Sequence, residues 1–324
     1  MEEKLYGRIL QGVGGLYTVR LISVPENMNL SVCQDVVCRA RGSFRHNNVS
    51  PLPGDTVIVS PTTEQIAEKQ KNTEGADFVI DEICDRKNSL IRPPMANLDL
   101  LFITMAAAAP DPVLSTVDKL ICIAEFNKIE PIIVITKKEL APEYADKLEA
   151  TYKKSGFTVF KLSAIEDTDV SPIDDFISEN LKNGKTAAFA GASGIGKSTL
   201  LNRLFPELSL STNEISRKIQ RGRHTTRKVE LYPLSPSPDC GYIADTPGFS
   251  MLDFARFDFF EAADLPLTMR EFEKYIGQCK YTKCSHTKEE GCAIVEAVKR
   301  GDIPLSRHES FRELYDVLKA KKKW

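Results

Sequence analysis

Residues 4–60 alternate apolar and polar positions over short stretches, which is the pattern of half-buried β-strands. Turn-forming residues separate these stretches at Gly12–Gly15, Pro25–Asn29 and Pro51–Gly54. The pattern predicts a small antiparallel β-domain, which we interpret as a five-stranded barrel of the oligonucleotide-binding type or, equally well, as a generic barrel spacer. The predicted strands are Leu5–Leu10, Leu16–Ile22, Asp35–Ala40 and Asp55–Ser60.

The pattern of apolar and polar positions changes after residues 61–76. This stretch is polar and aperiodic, and we interpret it as a linker or long loop. Strand-like apolar runs now alternate with amphipathic segments, the first of which carries an apolar face from Val113 to Ala124. This alternation predicts a parallel sheet covered by helices on both faces. The other predicted elements are the strands Leu98–Met105, Pro131–Thr136 and Thr158–Leu162 and the helices Pro142–Ser155 and Pro172–Asn183.

The segment Gly191–Ser198 fits the pattern G-x-x-x-x-G-K-[ST], with an apolar strand, Thr186–Ala190, before it and a helix-like run, Ser198–Leu204, after it. Such a loop binds polyphosphate because glycines let backbone N–H groups close around the anion and the helix start adds positive dipole. The alternative is an ordinary Gly-rich turn between a strand and a helix. The candidate nucleotide-binding residues here are Gly191, Ala192, Ser193, Gly194, Ile195, Gly196, Lys197, Ser198 and Thr199.

A second nucleotide signal follows the short apolar strand Gly241–Ala244, which ends in Asp-Thr-Pro-Gly. An acidic residue at a strand tip, here Asp245, can hold magnesium through water, and the N–H of Gly248 can sense the γ-phosphate. Alone this tetrapeptide is a common turn. Together with a phosphate loop some fifty residues upstream, it indicates a segment that contacts magnesium and the γ-phosphate.

Base recognition in GTPases uses N-K-x-D after a strand, and a Ser-Ala pair after the next strand supports it. The nearest segments here both precede the phosphate loop, so the usual GTPase order is circularly permuted. Permutation preserves the sheet because the termini of such domains lie close together. The candidate base-binding residues are Thr136, Lys137, Lys138, Glu139, Ser163 and Ala164.

Four potential metal ligands cluster near the end of the chain as Cys-x4-Cys-x-His-x5-Cys. Three thiolates and one imidazole within fourteen residues can surround a tetrahedral zinc ion, whereas free thiols are the alternative. A disulfide framework is a weak alternative because the chain begins without a secretory signal. The candidate ligands are Cys279, Cys284, His286 and Cys292.

Between the phosphate loop and Asp245 lies a basic stretch, Ser216–Lys228, with six Lys/Arg and no acidic residue. It lies where GTPases have switch I, the loop that closes on the nucleotide. Basic side chains of this stretch that bind RNA phosphates would therefore also affect the nucleotide site. A solvated basic loop is the alternative. Within this stretch Thr226, or else Thr225, is the candidate hydroxyl that closes on magnesium in the GTP state.

The permuted order, Gly222–Thr226 (G-R-H-T-T), Asp245–Phe249 (D-T-P-G-F), the barrel and the Cys/His cluster together resemble the ribosome small-subunit-dependent GTPase A family. The resemblance covers essentially the whole chain. It implies an α/β fold: a circularly permuted P-loop GTPase domain with an N-terminal OB-like β-barrel and a small C-terminal zinc-binding helical domain. We expect the barrel, an RNA-binding domain, at 1–72, the GTPase domain at 73–252 and the zinc domain at 253–324.

The resemblance also implies that the protein hydrolyses GTP to GDP, is stimulated by the small ribosomal subunit and its rRNA, and acts in late maturation of that subunit. The implied cofactors are GTP/GDP, Mg²⁺ on Ser198 and Thr226, and one Zn²⁺ per chain.

No glutamine follows Gly248 to position the attacking water. The catalytic candidates are therefore His224, which an RNA contact would also explain, together with Lys197 and Thr226. The family motif has Asn and Asp where this chain has Thr136 and Glu139.

Composition adds little to this picture. The formal net charge of −2 means that any nucleic acid must be met by local basic patches. The N-terminus has no apolar signal core, and the longest apolar run, Leu100–Ala109, is half the ~20 residues of a membrane helix. We expect a cytoplasmic monomer without membrane contact. Two other classes stay open: an RNA-binding assembly protein with a mainly regulatory nucleotide site, and an ATP-using P-loop enzyme.

Overall fold

The computed structural model describes residues 4–26, 28–46, 49–62, 76–163, 170–206, 229–245 and 261–320, without the side chains of residues 45, 46 and 245. Contacts divide the chain into two compact units. The first comprises Met1–Asp99, Ile177–Ala188 and Ser211–Gly248, and the second comprises Leu100–Phe176, Phe189–Leu210 and Phe249–Trp324.

A closed five-stranded barrel forms the N-terminal part of the first unit. Its strands are β1 (Leu5–Val13), β2 (Leu16–Ser23), β3 (Asp35–Ala40), β4 (Thr56–Pro61) and β5 (Phe78–Ile83). They pair in the order β1-β2-β3-β5-β4, and β4 pairs again with β1, which closes the barrel. Alternating positions fill its interior: Leu5, Ile9, Val19, Leu21, Val36, Cys38, Val57, Val59, Phe78 and Ile80 are all buried.

This architecture confirms the predicted barrel and its four predicted strands. The fifth strand, β5, lies beyond the expected domain end at residue 72 and pairs parallel with β3. The pattern does not reveal it because three consecutive residues, Phe78, Val79 and Ile80, are buried, so apolar and polar positions do not alternate there. Residues 63–75 of the predicted linker lie outside the described residues.

Two later strands of the first unit, β12 (Glu230–Pro233) and β13 (Tyr242–Asp245), extend this sheet. Strands β6 (Ser89–Ile91) and β7 (Pro94–Ala96) form a separate two-stranded sheet, and the short helix α1 (Ser43–His46) lies between β3 and β4. Strand β12 pairs antiparallel with β13 and also with β1, where Gln11 lies opposite Glu230.

Arg8 ties the barrel to the later strands of the same unit. Its guanidinium donates to the carbonyls of Gly54 at 2.9 Å and Gly184 at 3.2 Å, and it lies 5.7 Å from the ring centroid of Tyr242. Gly184 precedes the strand β11 (Thr186–Ala190), and Tyr242 begins β13. One half-buried cation therefore connects segments that are more than 170 residues apart in sequence.

The second unit contains the parallel strands β8 (Leu100–Ala106), β9 (Glu130–Thr136) and β10 (Thr158–Lys161), in the order β10-β9-β8. All seven residues of β8 are buried, as expected of a strand covered on both faces. Helices alternate with the strands, as predicted. They are α2 (Leu114–Phe126), α3 (Pro142–Lys154), α4 (Ser171–Asn180), which ends three residues before its predicted end, and α5 (Lys197–Leu204).

The C-terminal part of the second unit is helical. It comprises two 3₁₀ segments, Leu265–Thr268 and Arg270–Tyr275, and two helices, α6 (Ala293–Lys299) and α7 (Leu305–Ala320). Helix α7 packs on α2, and its buried apolar residues include Phe311 and Leu314. Within the described ranges, no helix combines the length and the hydropathy that crossing a bilayer requires.

A buried charge network joins this helical part to α2. The Arg307 guanidinium on α7 bonds to Asp118 on α2 at 2.5 Å and to Glu271 at 2.6 Å, and all three side chains are at most 4% exposed. The Tyr152 hydroxyl on α3 donates to the same Asp118 carboxylate at 3.0 Å. Buried ions need such partners because an unpaired charge in the interior carries a large desolvation penalty.

We predict that Arg307→Met destabilises the protein by about 3–5 kcal/mol, because it leaves two buried carboxylates without a counter-charge. Urea unfolding measures the change. The matched control is Arg300→Met, since Arg300 forms an ion pair with Asp302 at the surface and its loss should leave the midpoint nearly unchanged. Equal shifts in the two variants would contradict the assignment.

Candidate functional site

The phosphate loop connects β11 to α5, in the strand–loop–helix order that the sequence predicts. Three of its residues adopt positive φ: Gly191 at 147°, Gly194 at 80° and Gly196 at 89°. Side chains disfavour these conformations, which explains why glycine occupies the positions. Gly196 is the N-cap of α5, so the helix start faces the loop.

Gly191 is also required by a close approach of two strands. A Cβ at this position would lie 2.4 Å from the carbonyl oxygen of Thr104 on β8 and 2.4 Å from Cδ1 of Ile195. The Thr104 carbonyl oxygen belongs to the backbone of β8 and cannot move away at low energetic cost. The chain can therefore follow this path out of β11 only if residue 191 has no side chain. Gly191 therefore fixes where the loop begins.

The loop is open to solvent where an anion would bind. Ala192, Ser193 and Gly194 are exposed, and so are Ser198 and Thr199 in the first turn of α5, whereas Ile195 is buried beneath them. A helix N-terminus beneath an exposed glycine-rich loop offers backbone N–H donors and positive dipole to phosphate. The described part of the candidate site thus has the polarity that a polyphosphate requires.

The candidate base motif lies directly beside this loop. Thr136, the last residue of β9, is fully buried, and its hydroxyl donates to the carbonyl of Ile195 at 2.5 Å, with the carbonyl of Met105 farther away at 3.1 Å. The ammonium of Lys137 bonds to the carbonyl of Gly194 at 2.7 Å and to that of Ala109. The structure therefore brings these two predicted residues together with the phosphate loop.

The remaining candidates of the base motif take different positions. Lys138 and Glu139 belong to the 3₁₀ turn Lys138–Leu140, where the Glu139 side chain is exposed. Ser163 is fully buried just after β10, and the N–H of Leu162 before it donates to Ile135 on β9 at 2.9 Å. The role of Ala164 stays a prediction because this residue lies outside the described part of the chain.

Asp245 is the last residue of β13, which runs parallel to β11 with Ala188 opposite Ala244. Its backbone therefore has the strand-end position that the sequence predicts. Three further candidates, His224, Thr226 and Gly248, lie outside the described residues, and their roles stay predictions.

The four Cys/His candidates converge in the C-terminal part of the second unit. Their ligand atoms all lie within 4.8 Å of one another. Sγ of Cys279 is 3.8 Å from Sγ of Cys292, and the Nδ1 atom of His286 is 3.4 Å from the first sulfur and 3.6 Å from the second. On a tetrahedral zinc ion with Zn–S bonds of ~2.3 Å, two sulfurs lie about 3.8 Å apart. The cluster therefore fits a tetrahedral ion.

The protonation chemistry of this cluster agrees with a metal site. Burial raises the pKa of the Cys292 thiol to about 12, and burial lowers the pKa of His286, which keeps its imidazole neutral. A bound cation favours the thiolate form of such thiols. Three thiolates and a neutral imidazole are the donor set of structural zinc sites.

Sequence reasoning missed one residue that supports this cluster. His308 on α7 is buried, and its Nε2 atom lies 2.8 Å from the carbonyl oxygen of His286, whose backbone adopts φ of 61°. The bond holds a ligand residue in an unfavourable conformation. No local signal could have shown it, because His308 lies 22 residues after His286 and outside the ligand spacing.

Comparison with known proteins identifies the family to which this site belongs. The family model described as RsgA GTPase matches residues 83–255, more than half of the chain, and the RsgA N-terminal domain matches residues 6–67. The chain belongs to the RsgA GTPase family. As an RsgA GTPase it hydrolyses GTP and uses a guanine nucleotide.

Relatives named RsgA align with nearly the whole of this chain. The protein from Ruminiclostridium cellulolyticum named small ribosomal subunit biogenesis GTPase RsgA is 36% identical and aligns with 97% of this chain and 93% of its own length. The protein named small ribosomal subunit biogenesis GTPase RsgA 2, from Listeria monocytogenes, is 37% identical and aligns with 98% of this chain and 99% of its own.

Two solved structures share the RsgA architecture. YjeQ from Thermotoga maritima superposes with a TM-score of 0.77 at 28% identity, covering 99% of this chain and 100% of the other. YloQ, described as a circularly permuted GTPase, superposes with a TM-score of 0.72 at 30% identity, covering 100% and 98%. This match confirms the predicted permutation.

We predict that Gly191→Ala weakens guanine-nucleotide binding at least tenfold, because the added Cβ would contact the Thr104 carbonyl and the backbone would be strained by roughly 1–3 kcal/mol. Titration with a fluorescent GDP derivative measures the affinity. The matched control is Gly42→Ala, since Gly42 has open space around it and no positive φ. If the two variants bound GDP equally well, the close approach would not govern the loop.

Proposed function

We propose that this protein hydrolyses GTP when bound to the small ribosomal subunit and acts in a late stage of its maturation. The proposal is supported by relatives named small ribosomal subunit biogenesis GTPase, which align with 97% or more of this chain. The observation that carries it is the phosphate loop with the base motif at its side. A cytoplasmic monomer that contacts rRNA and no membrane fits this role.

We propose the following division of labour at the nucleotide. Lys197 and the loop N–H groups hold the phosphates, Ser198 and Thr226 provide hydroxyl oxygens to Mg²⁺, and Asp245 supports that ion through water. Exposed hydroxyl oxygen suits this hard cation, and Ser198 offers one in the first turn of α5. Magnesium neutralises charge that develops on the phosphates during phosphoryl transfer.

The attacking water needs a positioning group, and we propose His224. No glutamine follows Gly248, where Phe249 and Ser250 stand. An imidazole with a reference pKa near ~6.5 can orient water or exchange a proton at neutral pH. The water attacks the γ-phosphorus while the bond from that phosphorus to the β–γ bridging oxygen breaks, and the products are GDP and phosphate.

We predict that purified small subunits stimulate GTP hydrolysis by the parent protein and that His224→Ala loses most of this stimulation. Subunit binding by the variant, measured by co-sedimentation, should persist. Failure of the variant to bind subunits would instead assign His224 to RNA contact, and normal turnover would remove it from catalysis.

The parent protein alone tests the proposed function. Hydrolysis that subunits do not stimulate, or an equal preference for ATP, would contradict it and favour the two other classes. A protein that binds subunits without any single turnover of GTP would be an RNA-binding assembly protein with a regulatory nucleotide site.

For the Cys/His cluster we propose one structural Zn²⁺ per chain. We predict that Cys284→Ser releases this zinc and loosens the C-terminal part of the second unit, while GDP binding remains largely intact. Elemental analysis and limited proteolysis provide the two readouts. Cys240→Ser is the matched control, because this buried cysteine lies outside the cluster and its replacement should retain zinc. Absence of zinc from the parent protein would overturn the proposal.

A further inference from the structure

The carboxylate of Glu289 holds the short turn that carries the middle ligands of the Cys/His cluster. Its Oε1 atom accepts from the N–H of Ser285 at 2.8 Å and from the hydroxyl of the same residue. Its Oε2 atom accepts from the N–H groups of Thr287 and Lys288, each at 3.1 Å. Four donors of the segment 285–288 therefore converge on one half-buried side chain.

The backbone of His286, in the middle of this segment, adopts φ of 61°. That left-handed conformation is unfavourable for a residue with a side chain. A turn that contains it can direct neighbouring N–H groups toward one point and thereby form a concavity that binds an anion. Glu289 supplies this anion from within the chain, so its hydrogen bonds stabilise the conformation that the ligand His286 must adopt.

The Glu289 side chain is ionised and acts only as an acceptor. Burial raises the pKa of Glu289, but hydrogen bonds, foremost those from the hydroxyl and the N–H of Ser285, outweigh burial and lower the pKa to about 2. The Ser285 hydroxyl gives its single hydrogen to Glu289. In the 2.8 Å contact between the hydroxyl oxygens of Ser285 and Thr287, Thr287 is therefore the donor. The carboxylate thus organises the side chains of the turn as well as its backbone.

The backbone of Glu289 also reaches the last ligand of the cluster. Its carbonyl accepts from the N–H of Cys292 at 3.2 Å, and Cys292 is the N-cap of α6. On the other side of the turn, the His286 carbonyl lies 2.8 Å from Nε2 of His308. Glu289 therefore connects the turn of Cys284 and His286 to the start of the helix that follows Cys292.

We propose that Glu289 is a positioning residue of the metal site, whose carboxylate fixes the turn of Cys284 and His286 in the arrangement that the metal requires. The inference rests on the proposed zinc site and deepens it. Glu289 needs no contact with the metal for this role, because it acts on the backbone on both sides of His286. Without the carboxylate, metal binding would have to order the turn, and that ordering would cost affinity.

A role through charge alone makes different predictions from a positioning role. If the negative charge of Glu289 only attracted the cation, an aspartate at this position would serve as well. The adjacent, exposed Glu290 would then also contribute to a similar degree. Hydrogen bonding is more demanding: aspartate is one methylene shorter, and the amide nitrogen of a glutamine would present donors to the N–H groups of the turn.

The experiment measures the Zn²⁺ affinity of the full-length chain by competition against a chromophoric chelator. Glu289→Gln and Glu289→Asp should each weaken zinc binding roughly tenfold or more, which is the usual effect of removing a hydrogen-bonding partner that orients metal ligands. Glu290→Gln is the matched control, because it removes the same charge from the next residue, and it should bind zinc as the parent does. All three variants should keep the parent's affinity for GDP, which shows that they fold.

Co²⁺ at saturating concentration provides a second readout, because its visible absorption bands report the geometry of the bound ligands. We expect changed bands in both Glu289 variants and parent-like bands in Glu290→Gln. Should the Glu289 variants fail to fold, Ser285→Ala removes one of the four donors from a partly buried position and should weaken zinc binding by a smaller factor. Parent-like zinc affinity in Ser285→Ala would then count against the proposal.

The proposal is overturned if Glu289→Gln weakens zinc binding no more than Glu290→Gln does, or if Glu289→Asp binds zinc like the parent. Weakened affinity with parent-like Co²⁺ bands would indicate general loosening and would also overturn it. A parent protein that binds no zinc removes the zinc proposal and this inference together. A parent that binds zinc, with Glu289 variants of equal affinity, removes the inference alone.

Discussion

The burial of Arg307 between two carboxylates is the interaction on which the second unit depends. Asp118 belongs to α2 and Glu271 to the 3₁₀ segment Arg270–Tyr275, so one guanidinium neutralises acids from separate segments. A second cation, Arg270, is half-buried and repeats the arrangement by pairing with Glu125 and Glu130. Because unpaired charges in the interior are costly, these contacts fix the helical part of the chain on α2.

The neighbour of Arg307 along α7 serves the metal cluster. His308 contacts the carbonyl of His286, while Arg307 contacts Asp118. Two successive residues of one helix thus connect the Cys/His cluster to α2. Helix α2 in turn connects β8 with β9, the strand that ends at Thr136. Within the second unit, the cluster and the base motif are therefore parts of a continuous packed structure.

Much of this arrangement was predictable from the sequence, for identifiable reasons. The phosphate loop, the base motif and the cluster each occupy a short segment whose spacing reflects its chemistry. The alternation of strands and helices in 98–190 follows from periodicity. Contacts between distant residues were not predictable: Arg307 and Asp118 are 189 positions apart, and neither stands out locally. Strand β5 was missed because it lacks alternation, and the contacts of Thr136 depend on the path of a loop 59 residues away.

Strand β1 takes part in two separate pairings. Its first half closes the barrel, with Leu5 opposite Val59 and Arg8 opposite Thr56, while Gln11 pairs with Glu230 on β12. Inserting or deleting one residue between these halves would reverse the side-chain alternation of one pairing relative to the other. The barrel is consequently not an exchangeable module: a graft from another protein would have to preserve the length of β1 and carry β5 with it.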